Sequence, residues 1–87
     1  MRLDKYLKVS RIIKRRTIAK EACSGGRVSI NDKVAKAGTV VTEGDIIEIK
    51  FANQTLKAKI INILEHVTKD TAKQMYEMIS GREDKEE

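Results

Sequence analysis

The sequence predicts an α+β fold: two N-terminal helices packed on a small, mostly antiparallel β-sheet, with a C-terminal helix closing the chain. Three patterns carry that expectation. Leu3, Tyr6, Leu7 and Ile13 recur at spacings that share one face of an α-helix. Arg27-Val28-Ser29-Ile30 alternates polar and apolar before Asn31-Asp32, as a hairpin requires. Ala72, Met75, Tyr76 and Ile79 return to the i, i+3, i+4, i+7 rhythm of a helix.

Taken in order, the first helix is amphipathic and cationic, because Arg2, Lys5, Lys8 and Arg11 lie beside or opposite its apolar stripe. Thr17 is expected to cap a second helix whose Ile18, Ala22 and Cys23 face inward, with Arg16 and Lys20 near its exposed start. Gly25 is expected to supply the left-handed residue that stops it. The hairpin turns at Asn31-Asp32 into Lys33-Val34. Two further strands, Ile46 to Phe51 and Leu56 to Leu64, flank the polar turn 52–55. The last helix is expected over about 69–80, stopping at Gly81.

No repeat, low-complexity run or proline-rich linker divides these elements, so residues 1–81 are expected to form one domain and 82–87 a disordered acidic tail. A chain of 87 residues supports one small core and is a poor host for a large enclosed active site. The C-terminal stripe of Met75, Tyr76, Met78 and Ile79 is therefore expected to pack on its own sheet rather than on a partner.

Charge is distributed unevenly. Residues 1–36 hold eleven Lys or Arg against three acids, a net of +8, whereas residues 37–87 hold seven against ten, a net of −3. Such segregation is the electrostatic footprint of a protein that binds a polyanion, since cations that neutralise phosphates release condensed counterions. Charged residues make up 36% of the chain, well above the usual ~25%, so most of the surface presents charge. No N-terminal apolar run resembles a signal peptide or a membrane span, and the single Cys23 forms no internal disulfide, so a cytoplasmic protein without membrane association is expected.

Arg2, Arg15 and Arg16 are the leading phosphate-binding candidates, because guanidinium forks fit phosphate oxygens. Lys5, Arg11, Lys14 and Lys20 extend the same surface, and the start of the second helix adds backbone N–H groups. Asp4 sits among these cations and reads as a group that orients an Arg or Lys. Arg27, Asn31 and Lys33, on or beside the hairpin, are candidates for contact with a second strand of nucleic acid. Tyr6, Phe51 and Tyr76 are too scattered for a base-stacking platform, so recognition should follow backbone and shape.

Catalytic and metal-binding readings are weaker. Gly25-Gly26 lacks a phosphate-loop pattern and reads as a helix stop. His66, expected between the last strand and the last helix, and Cys23, expected as a small buried side chain, have no neighbours suited to a nucleophile or zinc cluster. Glu43, Asp45 and Glu48 fit a loop entering a strand better than a metal site. No cofactor is expected.

The opening RLDKYLKVSRIIKRRTIAKEACSGGRVSIND, followed by the small sheet, resembles the ribosomal protein S-four type RNA-binding domain, whose core is called the alpha-L motif; the likeness covers about residues 1–50. Arg2, Lys5, Arg11, Arg16 and Lys20 match positions of that family's basic helix pair. Within the family, the opening MRLDKYLKVSRIIKRRT is similar to stand-alone bacterial factors of ribosome-associated quality control and, more distantly, to small ribosome-binding heat-shock proteins.

The resemblance implies a non-enzymatic protein that binds an obstructed large ribosomal subunit, touching ribosomal RNA (rRNA) and peptidyl-tRNA. It further implies an RqcH-type partner that delivers alanyl-tRNA, so that alanine is added to the stalled chain without a template. No oligomer is implied, so a monomer is expected. The competing reading is a general binder of structured RNA, acting in large-subunit assembly or heat-shock recycling. An RNA-modifying enzyme would require a catalytic domain that this chain lacks.

Overall fold

A computed structural model describes residues 1–80. The elements run α1 (Leu3–Val9), α2 (Arg16–Ser24), β1 (Val28–Ile30), β2 (Lys33–Val34), β3 (Ile46–Lys50), β4 (Thr55–Ile60), α3 (Lys69–Ala72) and β5 (Tyr76–Ser80). The strands form one five-stranded sheet in the order β2-β1-β3-β4-β5, with every pairing antiparallel.

Helix α1 forms where the apolar stripe was expected, and Leu3, Tyr6 and Leu7 are fully buried. It stops at Ser10, after which Arg11 takes a left-handed φ of 64° and its N–H donates to the Lys8 carbonyl at 3.1 Å. Ile13 joins the same core from the connection that follows, not from the helix.

Helix α2 buries Ala19, Ala22 and Cys23, an i, i+3, i+4 stripe of small side chains that lets the helix sit close to its neighbours. Ile18 is one step off that stripe and is 47% exposed, contrary to the expectation that it faces inward. The helix ends in a Schellman motif: the Arg27 N–H donates to the Ala22 carbonyl at 3.0 Å and the Gly26 N–H to the Cys23 carbonyl at 3.1 Å. The left-handed residue is Gly26, with φ of 73°, and not Gly25, which keeps φ near −81°.

The hairpin β1–β2 turns on Asn31 and Asp32, both at positive φ (51° and 71°), the backbone of a two-residue turn whose twist matches the strands. Asn31 also clips the turn to β3: its side chain accepts from the Ile46 N–H at 3.0 Å and donates to Asp45 at 3.1 Å. Strands β1, β3 and β4 direct Val28, Ile47, Ile49, Leu56, Ala58 and Ile60 into the core.

The C-terminal region departs from expectation. Helix α3 spans only four residues, Lys69–Ala72, and Tyr76–Ser80 is a strand rather than the second half of a helix. Strand β4 ends at Ile60 instead of Leu64, and the sheet is completed by β5, not by residue 64. The physical reason is the edge that β4 would otherwise expose: pairing Ile60 with Tyr76 and Ala58 with Met78 satisfies a row of backbone groups that a helix leaves bare. Tyr76 and Met78 are half-buried while Glu77 and Ile79 are exposed, a period of two within a segment whose apolar residues also fit a period of 3.6. A capping box between Thr68 and Thr71 starts α3, and Met75 is buried at the junction, with its carbonyl accepting from Tyr6 Oη at 2.6 Å. Gly81 and the expected tail 82–87 lie outside the described residues.

Candidate nucleic-acid interface

A single carboxylate organises the basic helix pair. Asp4, in the first turn of α1, is fully buried, and its Oδ1 accepts from the Lys5 backbone N–H at 2.8 Å. Arg2 approaches the same carboxylate from the residue before α1, with Nε 3.2 Å from Oδ1 and Nη2 3.4 Å from Oδ2. Arg16, in the first turn of α2, places Nε 3.4 Å from Oδ2. The Arg2 and Arg16 side chains remain 52% and 46% exposed, so each holds the carboxylate on one side and faces solvent on the other.

The segment before Val41 fixes this arrangement from behind. The Leu3 and Asp4 N–H groups donate to the Thr39 and Ala37 carbonyls at 2.7 and 3.1 Å, and Arg2 bridges to Val40. The first orphan N–H groups of α1 are thereby satisfied and Arg2 is anchored by its backbone. Burial works to raise the Asp4 pKa, but the Lys5 N–H and the guanidinium groups of Arg16 and Arg2 outweigh it and hold the carboxyl below its ordinary value. Asp4 is therefore ionised at neutral pH and keeps the two guanidinium groups close together without cancelling both charges.

The other predicted residues fall into separate places. Arg15 occupies the extended position before α2, and Lys20 lies one turn beyond Arg16; both are exposed. Thr17 does not cap α2, because the helix begins one residue before it and Arg15 holds the cap position without a side-chain hydrogen bond. Thr17 is exposed in the first turn. Lys5 pairs with Glu65 at 2.9 Å, an exposed contact from the β4–α3 connection. The Lys5 hydrogen bond and charge lower the Glu65 pKa.

Lys8, Arg11 and Lys14 line a shallow cleft with Glu65, His66 and Val67. Arg27 follows the glycine stop and Lys33 begins β2; both are exposed and lie on other elements than the Asp4 cluster. The NH2 of the Asn31 side-chain amide donates to Asp45 and its oxygen accepts from the Ile46 N–H, so both ends of the amide are engaged.

Glu65 had no sequence signal as a partner of Lys5, since 60 residues separate them. Among the described residues, no group of three or more His, Cys, Asp or Glu could hold a metal ion, and no helix is long and apolar enough to cross a membrane. Asp45 accepts from the Thr42 N–H at 3.0 Å, in keeping with the loop role expected for it. Burial pushes the Cys23 thiol pKa up, which disfavours the reactive thiolate.

The buried Asp4 and the helix pair it joins lie within residues 1–47, the segment that matches the S4 domain model. Over 78 residues the chain is 55% identical to an RQC P-site tRNA stabilizing factor of Halalkalibacterium halodurans, covering 90% of this chain and 89% of that one. A protein of the same name from Streptococcus pneumoniae is 50% identical over 80 residues, covering 92% and 91%. Among solved structures, heat shock protein 15 of Vibrio cholerae, described as trimeric, superposes with a TM-score of 0.83 at 28% identity, covering 92% of this chain and 82% of that one. Helix pair, antiparallel sheet, matched segment and relatives agree, and the chain belongs to the S4 domain family.

Proposed function

We propose that this protein is a non-catalytic RNA-binding factor of the RqcP type, acting in the cytoplasm as a monomer in ribosome-associated quality control. It grips rRNA and peptidyl-tRNA on an obstructed large subunit, and with an RqcH-type partner it supports template-free alanine tailing of the stalled chain. The observation that carries the reading is the pair of half-exposed guanidinium groups, Arg2 and Arg16, held on the buried Asp4 carboxylate. Two forks at a set spacing suit the phosphates of a folded RNA better than those of a flexible strand. Arg15 and Lys20 extend that edge along α2, and Arg11 and Lys14 continue it past the end of α1. The names of the relatives support the tRNA and ribosome parts of the reading.

The test is the salt dependence of binding to purified large subunits carrying peptidyl-tRNA. Replacing Arg2, Arg15 and Arg16 by Ala, with Asp4→Asn included so that no buried carboxylate loses its cations, removes about three phosphate contacts. The log-log slope should fall by roughly 2 to 3 units while circular dichroism stays native. An unchanged slope refutes the assigned surface. Recovery from cells of large subunits with peptidyl-tRNA and an RqcH-type protein supports the quality-control role. Recovery of free large subunits alone favours the heat-shock recycling reading, which the likeness to heat shock protein 15 supports. Light scattering at assay concentration should give the mass of one chain, and a trimer overturns the monomer assignment.

A further inference from the structure

Bordering the RNA-binding face, the α1–α2 connection and α3 flank a groove of about 720 Å³, open to solvent. Its floor is hydrocarbon: Ile13 and Leu56 are buried at the bottom, while Ile18, Phe51 and Tyr76 present partly exposed faces. Ile18 is 47% exposed although it lies next to the buried stripe of α2, which leaves an aliphatic side chain facing the groove without burial. The rim carries five cations, Arg11, Lys14 and Arg15 on one side and Lys69 and Lys73 on the other, and no carboxylate lines it among the described residues.

A phosphate backbone would use the cations and gain nothing from the floor. An apolar ligand would use the floor and gain nothing from the rim. Both are used by an amphipathic segment with apolar side chains on one face and Asp or Glu flanking them. The volume is sufficient for several side chains rather than one, and an apolar floor bounded by charged edges is the composition that a helix-in-groove site uses. We propose that this groove docks an acidic amphipathic helix of a partner protein, its apolar face on Ile18, Phe51 and Tyr76 and its carboxylates toward the two cationic edges. The groove shares Arg11, Lys14 and Arg15 with the RNA-binding edge, whereas Ile18, Phe51, Tyr76 and the α3 cations Lys69 and Lys73 do not belong to that surface and carry the assignment.

The experiment uses the full chain labelled with 15N and a synthetic helical peptide with a Leu face flanked by Glu. Addition of the peptide should shift the amide signals of Ile18, Phe51, Lys73 and Tyr76. Ile18→Ser should weaken binding about tenfold, equivalent to about 1.4 kcal/mol. Lys69→Glu with Lys73→Glu should weaken the Glu-flanked peptide and strengthen a Lys-flanked copy of it, a reversal that non-specific apolar sticking does not produce. Both variants should keep the wild-type salt slope for RNA.

Peptide binding that ignores Ile18→Ser and the charge reversal overturns the proposal, as does the absence of shifts at millimolar peptide. Shifts at Phe51 and Tyr76 caused by a single-stranded oligonucleotide, and not by the peptide, assign the groove to nucleic acid and overturn it as well. Tighter peptide binding by a chain truncated after Ser80 assigns the groove to residues 81–87 of this chain and likewise overturns the proposal.

Discussion

Asp4→Asn tests the centre of the candidate interface, because it keeps the shape of the side chain and removes the charge. The Lys5 N–H retains an acceptor in the Asn carbonyl, so that hydrogen bond survives. The contacts to Arg2 at 3.2 Å and Arg16 at 3.4 Å become neutral, and the amide NH2 turns a donor toward two donors. Loss of a partner from a fully buried pair costs about 3–5 kcal/mol. Here both guanidinium groups are about half exposed and regain water, which brings the expected loss to about 2 kcal/mol. In a domain of this size that lowers Tm by about 8–16 °C, read by calorimetry at pH 7.

The same substitution separates orientation from charge. It adds one net positive charge, so a binding surface that works only through its field would hold RNA more tightly. A surface that depends on the fixed spacing of Arg2 and Arg16 should hold it less tightly. The expected outcome is therefore weaker binding by a more cationic protein. The acid limb gives an independent check: the folded pKa of Asp4 lies below its unfolded value, so its stabilisation is complete above about pH 4 and is lost as pH falls through the folded value. The variant should lack that component of acid destabilisation. An unchanged Tm together with tighter RNA binding would refute the reasoning.

Other outcomes follow from single residues. Arg11 holds a left-handed φ of 64° where glycine is at no disadvantage, so Arg11→Gly should raise stability in urea by about 0.5–1 kcal/mol and still reduce RNA affinity; loss of both together would assign Arg11 a structural role. Tyr6→Phe removes the buried bond to the Met75 carbonyl, which keeps the N–H groups of Ile61 and Asn62, so the cost should be about 1 kcal/mol by chemical denaturation. Burial, with Tyr76 nearby, holds the Tyr6 phenol well above the ordinary tyrosine range. Its contribution to stability is thus present below about pH 10 and is lost as pH rises through the folded value, and alkaline difference absorbance should show a late-titrating tyrosine that Tyr6→Phe abolishes.

Local signals were legible wherever a neighbour a few residues away decided the structure. The stripe of Leu3, Tyr6 and Leu7 specifies α1, and Asn31-Asp32 specifies the β1–β2 turn because both residues tolerate positive φ. One-step details were less legible: Gly25 and Gly26 are equally able to adopt the left-handed region, and only the Arg27-to-Ala22 bond selects Gly26. Ile18 fits an inward face by spacing, yet it lies exposed, and the buried stripe of α2 is Ala19, Ala22 and Cys23.

By itself, then, the sequence determined a cationic helix pair, a hairpin and a β3–β4 pair, because spacing and turn chemistry act over a few residues. Tertiary structure decided the rest. Tyr76–Ser80 is a strand because β4, far earlier in the chain, offers an unpaired edge that outweighs a local helical rhythm. Lys5 meets Glu65 across 60 residues. Asp4, which in sequence is one acid among many cations, becomes a buried anchor only when the segment ending at Val41 covers α1 and α2 brings Arg16 against it. Burial is a property of the packed chain, and it turns a basic composition into two guanidinium groups at a set distance.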